Sequence, residues 1–211
     1  MPPSHAATAW RDRIRFARRF VLAPRTVGSL VPSSSRLAAA VASAVRPPKK
    51  PARNLTVVEL GAGTGAFTRD ILTRLRPGDR FMAVEIDAEF VATLRRRWPR
   101  IDVVCASAEQ LVAFIREYDL GHVDHIVSGL PFATLPAGVT QRIVDAVSQS
   151  LRAGGTFSTF HYLHSYRVPA ATKFRRLMTD ALAATPTTSR VLWNFPPAVV
   201  VRWTKGTSDK K

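Results

Sequence analysis

Glu59-Leu60-Gly61-Ala62-Gly63-Thr64-Gly65 decides the fold of this chain, because it joins the β-branched run LTVVEL (55–60) to the helix-spaced run FTRDILTRL (67–75). Three glycines in five positions end a strand and start a helix, which is the turn an α/β unit needs. The alternation then continues outward. FMAVEI (81–86), IDVVCA (101–106), VDHIVSGL (123–130) and TFSTFHY (156–162) read as strands, and AEFVATLRRRW (88–98), AEQLVAFIREY (108–118) and VTQRIVDAVSQSL (139–151) as the helices between them. Short apolar strands separated by helices of this length predict a doubly wound, mostly parallel sheet of the α/β class. The end breaks the pattern: SRVLWNFPPAVVVRWT (189–204) holds two β-rich runs around Asn194-Phe195-Pro196-Pro197 and predicts a C-terminal antiparallel hairpin.

In such sheets ligands bind at the carboxyl ends of the strands. Gly61, Gly63 and Gly65 remove side chains that would keep a ligand from the backbone, and the helix behind them offers free N–H groups. The third glycine comes one residue too early for the dinucleotide spacing G-x-G-x-x-G. Glu85, followed by Ile86, ends the second strand and is placed to accept two ribose hydroxyls. Together these residues fit S-adenosylmethionine better than NAD, and the predicted cofactor set is Glu59, Gly61, Ala62, Gly63, Gly65, Glu85 and Ile86.

The 211 residues suffice for one domain with short extensions, and the formal net charge is +16. That charge is uneven: residues 1–53 hold eleven Lys/Arg against Asp12, residues 161–211 hold nine against Asp180 and Asp209, and the middle is close to neutral. Two basic flanks favour a polyanionic partner. The single Cys105 excludes an internal disulfide and is read as a buried core thiol; no Cys/His cluster has zinc spacing, so no metal is expected. No stretch approaches a spanning helix, so the expectation is a cytoplasmic monomer peripherally associated with the inner face of the membrane.

WRDRIRFARRFV (10–21) winds as a basic amphipathic helix, with Trp10, Ile14 and Phe20 on one side and Arg11, Arg15, Arg18 and Arg19 on the other. Such a helix lies in the headgroup plane of an anionic bilayer. PPKKP (47–51) reads as a linker, which gives an N-terminal helix and lid over 1–53 and a catalytic domain over 54–211.

From Glu59–Gly65 to the final hairpin, residues 54–204 resemble the class I methyltransferases, a Rossmann-like fold that uses S-adenosylmethionine. The resemblance implies that Ala106-Ser107-Ala108-Glu109 lies along the adenine; Ser107 stands where many relatives carry an acidic residue, so either Ser107 or Glu109 supplies the acceptor. It also implies that Ser128-Gly129-Leu130-Pro131-Phe132, at the end of the fourth strand, faces cofactor and substrate, with the Phe132 ring over the reacting nitrogen. Amino methyltransferases carry an Asn/Asp-Pro-Pro-Tyr-like motif there. This sequence lacks the Asn or Asp, leaving the Ser128 hydroxyl and the Gly129–Leu130 carbonyls to receive the amine.

The stretch from Ala23 to Ser35, the Val127–Pro131 strand end, Tyr162 and Asn194–Pro197 further resemble the soluble, membrane-associated bacterial phospholipid N-methyltransferases, which convert phosphatidylethanolamine stepwise to phosphatidylcholine. The resemblance implies a phospholipid substrate at an anionic membrane surface. His161 or Tyr162 would relay the amine proton, Phe132, Tyr162 and Tyr166 would hold the ammonium, and Arg25, Arg167 or Arg175 would hold the phosphate. Ornithine-lipid methyltransferases look similar, and rRNA adenine N6-methyltransferases share parts of the plan. The latter carry a helical RNA-binding domain after the catalytic one, so no nucleic acid partner is expected.

Overall fold

The computed structural model describes residues 32–46 and 53–207. The basic segment carrying Trp10, Arg11, Ile14, Arg15, Arg18, Arg19 and Phe20, together with Arg25 and the 47–51 linker, lies outside the described residues. One sheet organises the rest. Its strands are β1 (Thr56–Leu60), β2 (Arg80–Glu85), β3 (Asp102–Cys105), β4 (Val123–Ser128), β5 (Leu151–Tyr162), β6 (Thr187–Val191) and β7 (Ala198–Thr204), in the order β3-β2-β1-β4-β5-β7-β6. The first five are parallel, and β7 runs antiparallel to both β5 and β6. This is the doubly wound sheet with a terminal hairpin that the sequence predicts.

Helices cover both faces, so β1 and β4 are buried along their whole length, including the polar side chains of Glu59, Asp124, His125 and Ser128. On one face lie α1 (Pro32–Ala42), α2 (Ala66–Leu72) and α3 (Ala88–Arg97); on the other lie α4 (Leu111–Glu117), α5 (Ala137–Ser150) and α6 (Pro169–Leu182). Asp87 caps α3 by accepting from the Glu89 N–H at 2.9 Å, and Arg95, Arg96 and Arg97 sit in its last turn, where the helix dipole favours cations. At the opposite end of the sheet from the glycines, buried Asp124 accepts from Arg53, from the Thr56 N–H at 2.9 Å and from Arg152 at 2.5 Å. Burial alone would raise the Asp124 carboxyl, but these donors outweigh it and hold the group below the ordinary carboxylate range.

Three boundaries and the exposure of one side chain differ from the sequence reading. Helix α1 falls within the stretch read as lid and linker, yet its Leu37, Ala38, Val41 and Ala42, with Val45 just beyond it, are buried in one cluster with Val57, Phe67 and Ile71. Strand β5 begins at Leu151, because Gly154 (φ 71°) and Gly155 carry an irregularity in its pairing with β4 rather than a loop. Helix α6 begins at Pro169, whose fixed φ suits the first helical turn, rather than at Lys173, where the sequence places its start after a loop over 162–172. Cys105 is exposed rather than buried, since it ends β3, the strand at the edge of the sheet.

Candidate active site

The strand order reverses between β1 and β4, and the loops leaving these strands meet there. The pairing continues past the strand ends: Gly61 N donates to Val84 O at 2.7 Å, Gly129 N to Leu60 O at 2.9 Å, and Ala106 N to Glu85 O at 2.9 Å. Gly61 and Gly63 both take left-handed backbone, with φ of 75° and 57°. A Cβ on Gly129 would stand 2.8 Å from the Gly61 carbonyl oxygen, so the close approach of these two loops requires glycine. Gly65 serves a different purpose from the one predicted. It precedes α2 at φ 84°, and a Cβ there would lie 2.2 Å from the Trp98 ring, so this glycine admits the packing of α2 against Trp98 rather than a ligand.

Glu59 is fully buried in β1 and accepts from the Thr68 hydroxyl at 2.6 Å, which ties α2 to the strand below the turn. Ala62 turns its methyl into the core. Glu85 is also buried, and its carboxylate accepts from Gly63 N at 2.7 Å, Ile86 N at 2.8 Å and Asp87 N at 3.0 Å. The acidic end of β2 thus holds the glycine turn directly.

Beside the turn runs a narrow cleft of about 30 Å³ that brings together six predicted residues, Gly61, Ile86, Ala106, Ser107, Ala108 and Leu130. Val84, Leu135, Val139 and Ile143 complete its walls. Its apolar sides and single hydroxyl suit a flat heteroaromatic ring. Val139 and Ile143, one turn apart on α5, belong to a run that the sequence reads as a helix but does not assign to the site. Glu109 does not line the cleft: its carboxylate accepts from Ser107 Oγ at 2.9 Å and from Arg142 Nε at 2.6 Å. Of the two candidate acceptors along this wall, Ser107 is the one placed at it.

The end of β4 departs from expectation. Ser128 is fully buried, and its Oγ accepts from Leu130 N at 3.3 Å, so the hydroxyl closes its own turn. Pro131 also serves the turn, its carbonyl accepting from Thr134 N at 2.9 Å and Leu135 N at 3.2 Å. Phe132 is 1% exposed and stacks on Phe174 of α6, centroids 3.7 Å apart and rings within 6° of parallel, with Phe157 edge-on at 6.4 Å. It is a core ring and cannot stand over a reacting nitrogen.

His161 and Tyr162 are successive in β5 and therefore face opposite sides of the sheet. His161 is 4% exposed, edge-on to Phe174 and Tyr166 on the α6 side, and burial, helped by the charge of Arg175, pushes its imidazole down to about 4. A neutral ring so enclosed has no route for passing a proton to water. Tyr162 lies on the other face, half-buried at the strand's carboxyl end, stacked on His164 and edge-on to Phe160. Burial pushes its phenol up to about 12, so it stays protonated and cannot act as a base near neutrality. One face of Tyr166 is covered by Arg175, whose guanidinium lies 3.9 Å from the ring centroid and donates to the Tyr166 carbonyl at 2.7 Å. Arg175 is therefore committed, whereas Arg167 is exposed beside a second cleft. Among the described residues no group of His, Cys, Asp or Glu is gathered to hold a metal ion, and no helix is long and apolar enough to cross a membrane.

Comparison with known proteins agrees with this geometry. Residues 57–155 match a family model described as a methyltransferase domain. The chain is 32% identical over 151 residues to an ornithine lipid N-methyltransferase of Singulisphaera acidiphila, covering 70% of this chain and 77% of that protein. It is 37% identical over 82 residues to a ribosomal RNA small subunit methyltransferase A of Bordetella pertussis, but this covers only 29% of that protein. Among solved structures, the 1,6-didemethyltoxoflavin-N1-methyltransferase of Burkholderia thailandensis, with S-adenosylhomocysteine bound, superposes with a TM-score of 0.66 at 18% identity, over 98% of this chain and 92% of that one. The chain therefore belongs to the class I S-adenosylmethionine-dependent methyltransferases.

Proposed function

We propose that this chain N-methylates the amine of a membrane phospholipid, phosphatidylethanolamine and its mono- and dimethyl products, at an anionic bilayer surface. The observation that carries the choice of acceptor is the end of β4. Where a base-modifying enzyme needs a side-chain acceptor and a stacking ring, this chain has a Ser128 hydroxyl bonded to its own turn and a Phe132 ring stacked inside the core. What the strand end offers is backbone at Gly129 and an apolar Leu130 wall, which suits a flexible alkyl amine better than a planar base. The lipid relative, matched over most of its length, supports a lipid amine as the acceptor.

S-adenosylmethionine supplies an electrophilic methyl group on sulfur. The Gly61–Gly63 backbone and Glu85 are the groups to hold its ribose and amino-acid portions, and Ile86, Ser107, Ala108 and Leu130 its adenine. The amine must arrive neutral, and no strong base is required of the chain. Tyr162, protonated and half-buried at the end of β5, contributes an aromatic face and a hydroxyl for the cationic head. A second reading, methylation of ornithine lipid, is favoured by the name of that relative.

Methyl transfer from radiolabelled S-adenosylmethionine, offered separately to anionic liposomes containing phosphatidylethanolamine, to liposomes containing ornithine lipid and to ribosomal RNA, tests the assignment. Label in mono-, di- and trimethylated phosphatidylethanolamine is the expected result. Label in ornithine lipid alone moves the substrate to the second reading, and label in RNA alone overturns both.

A further inference from the structure

Among the described residues, the strongly exposed large apolar side chains are Leu163 (45%), Leu192 (60%), Trp193 (81%) and Phe195 (89%). All four stand at one end of the sheet. Because β7 is antiparallel to β5 and to β6, the turn between β6 and β7 projects from the end at which β1 and β4 deliver the cofactor loops. Leu163 N donates to Pro197 O at 2.8 Å, which ties the turn after β5 to this hairpin tip, and Asn194 Nδ2 braces the tip by donating to Pro196 O at 2.6 Å. Trp193 and Phe195 are thus held outward on a braced turn.

Next to them lies a cleft of about 340 Å³ lined by Leu163, Tyr166, Arg167, Thr188, Arg190 and Val199. Arg167 and Arg190 are both exposed, and neither makes an ion pair or side-chain hydrogen bond among the described residues. Between residues 161 and 207 the only acidic residue is Asp180, near the far end of α6. An apolar tip bordered by two open guanidinium groups matches the layering of a bilayer, with acyl chains beneath phosphodiesters.

We propose that the β6–β7 tip, with Leu163, is an anionic-bilayer docking surface: Leu192, Trp193 and Phe195 insert among the acyl chains while Arg167 and Arg190 take headgroup phosphates in the adjoining cleft. This assignment rests on the lipid reading above and adds to it a second contact point, outside residues 10–21. Self-association through this face would set Arg167 and Arg190 of two copies against each other, whereas anionic headgroups neutralise them. Single-stranded nucleic acid would make use of Trp193 but not of the two leucines. Docking by this tip places the mouth of the active site at headgroup depth.

The test is flotation of the full chain with vesicles of phosphatidylglycerol and phosphatidylcholine, together with turnover on monomeric dihexanoyl-phosphatidylethanolamine. Trp193→Glu with Phe195→Glu is expected to weaken vesicle binding about tenfold or more, and Arg190→Glu to weaken it in a salt-sensitive way. Affinity for S-adenosylhomocysteine and turnover on the monomeric lipid should not change in the double variant, which also shows that it folds. Undiminished flotation of the double variant overturns the docking surface, as does loss of monomer turnover, which would make the tip part of the acceptor pocket. If the variant floats normally but fails to shift ribosomal RNA in a gel, the surface belongs to nucleic acid. If wild type methylates neither monomer nor vesicle lipid, the lipid reading fails, while the flotation result still decides the docking surface on its own.

Discussion

Replacing Phe132 by Leu and by Ala separates a core ring from a substrate-facing ring. The side chain is 1% exposed, stacked on Phe174 at 3.7 Å and in edge contact with Phe157. Phe132→Ala removes a fully buried ring and is expected to cost about 3–5 kcal/mol. Phe132→Leu keeps most of the volume and forfeits chiefly the aromatic contacts, about 1 kcal/mol. For a domain of this size a loss of 1 kcal/mol lowers the melting temperature by about 2–4 °C, so the expected drops are about 6–20 °C for Ala and about 2–4 °C for Leu. Turnover per folded molecule and affinity for S-adenosylhomocysteine should stay within about threefold for Phe132→Leu, since Leu130, not Phe132, lines the cleft. Thermal melting, calorimetry with S-adenosylhomocysteine and a methyl-transfer assay well below the transition provide the three readings. A Phe132→Leu variant that melts like wild type but loses about a hundredfold in turnover would refute the reasoning and return the ring to the acceptor.

Gly129→Ala is expected to force the β4 loop off the Gly61 carbonyl, now only 2.8 Å from a built Cβ, and to weaken S-adenosylhomocysteine binding about tenfold or more with a smaller change in melting; unchanged calorimetry would sink this. Gly65→Ala combines left-handed backbone with a collision against Trp98, for a loss of about 2–4 kcal/mol, and Trp98→Leu in the same chain should recover part of it in denaturant melts. His125 and His161 are both held near 4 by burial, against an ordinary 6.5, so below about pH 6.5 the unfolded chain takes up protons that the folded chain refuses. Their contribution is fully present above pH 6.5 and is lost as pH falls towards 4, by roughly 3 kcal/mol per histidine. Urea midpoints should therefore fall between about pH 7 and about pH 5, and His161→Phe should flatten that fall; an identical slope in the variant would contradict the assignment.

The fold was legible because its signals are local and repeated: each strand is a short apolar run, and each turn is marked by Gly, Pro or a capping residue such as Asp87. The glycine turn was legible for the same reason. Gly65 was misread because its neighbour, Trp98, is distant in sequence and met only through packing. Phe132 was misread similarly: Pro131-Phe132 resembles an acceptor motif in the chain, but the partner that claims the ring is Phe174, on α6. The case of His161 and Tyr162 differs. Strand periodicity already sets adjacent residues on opposite faces, so the sequence itself excluded a shared role. Missing from that reading was what the hairpin tip presents: Asn194-Phe195-Pro196-Pro197 reads as a turn, but the exposure of Trp193 and Phe195 on it is met only in the structure.

Two ring side chains at the end of β5, buried His161 and half-buried Tyr162, bear directly on how the reaction depends on pH. His161 changes charge near 4 and Tyr162 near 12, so neither titrates between about pH 5 and about pH 10. A site with these two groups does not set the acceptor's protonation; the acceptor's own ammonium does. With a primary alkyl amine as substrate, turnover at limiting acceptor should rise with pH, with unit slope on a logarithmic plot, until the amine's own pKa is reached. Replacing that amine by a less basic analogue should move the inflection down by the difference between the two pKa values. Profiles measured with two such amines decide between the readings. An inflection that follows the amine leaves alignment and desolvation as the chain's contribution, whereas one that stays fixed in both profiles requires a protein base that neither His161 nor Tyr162 supplies.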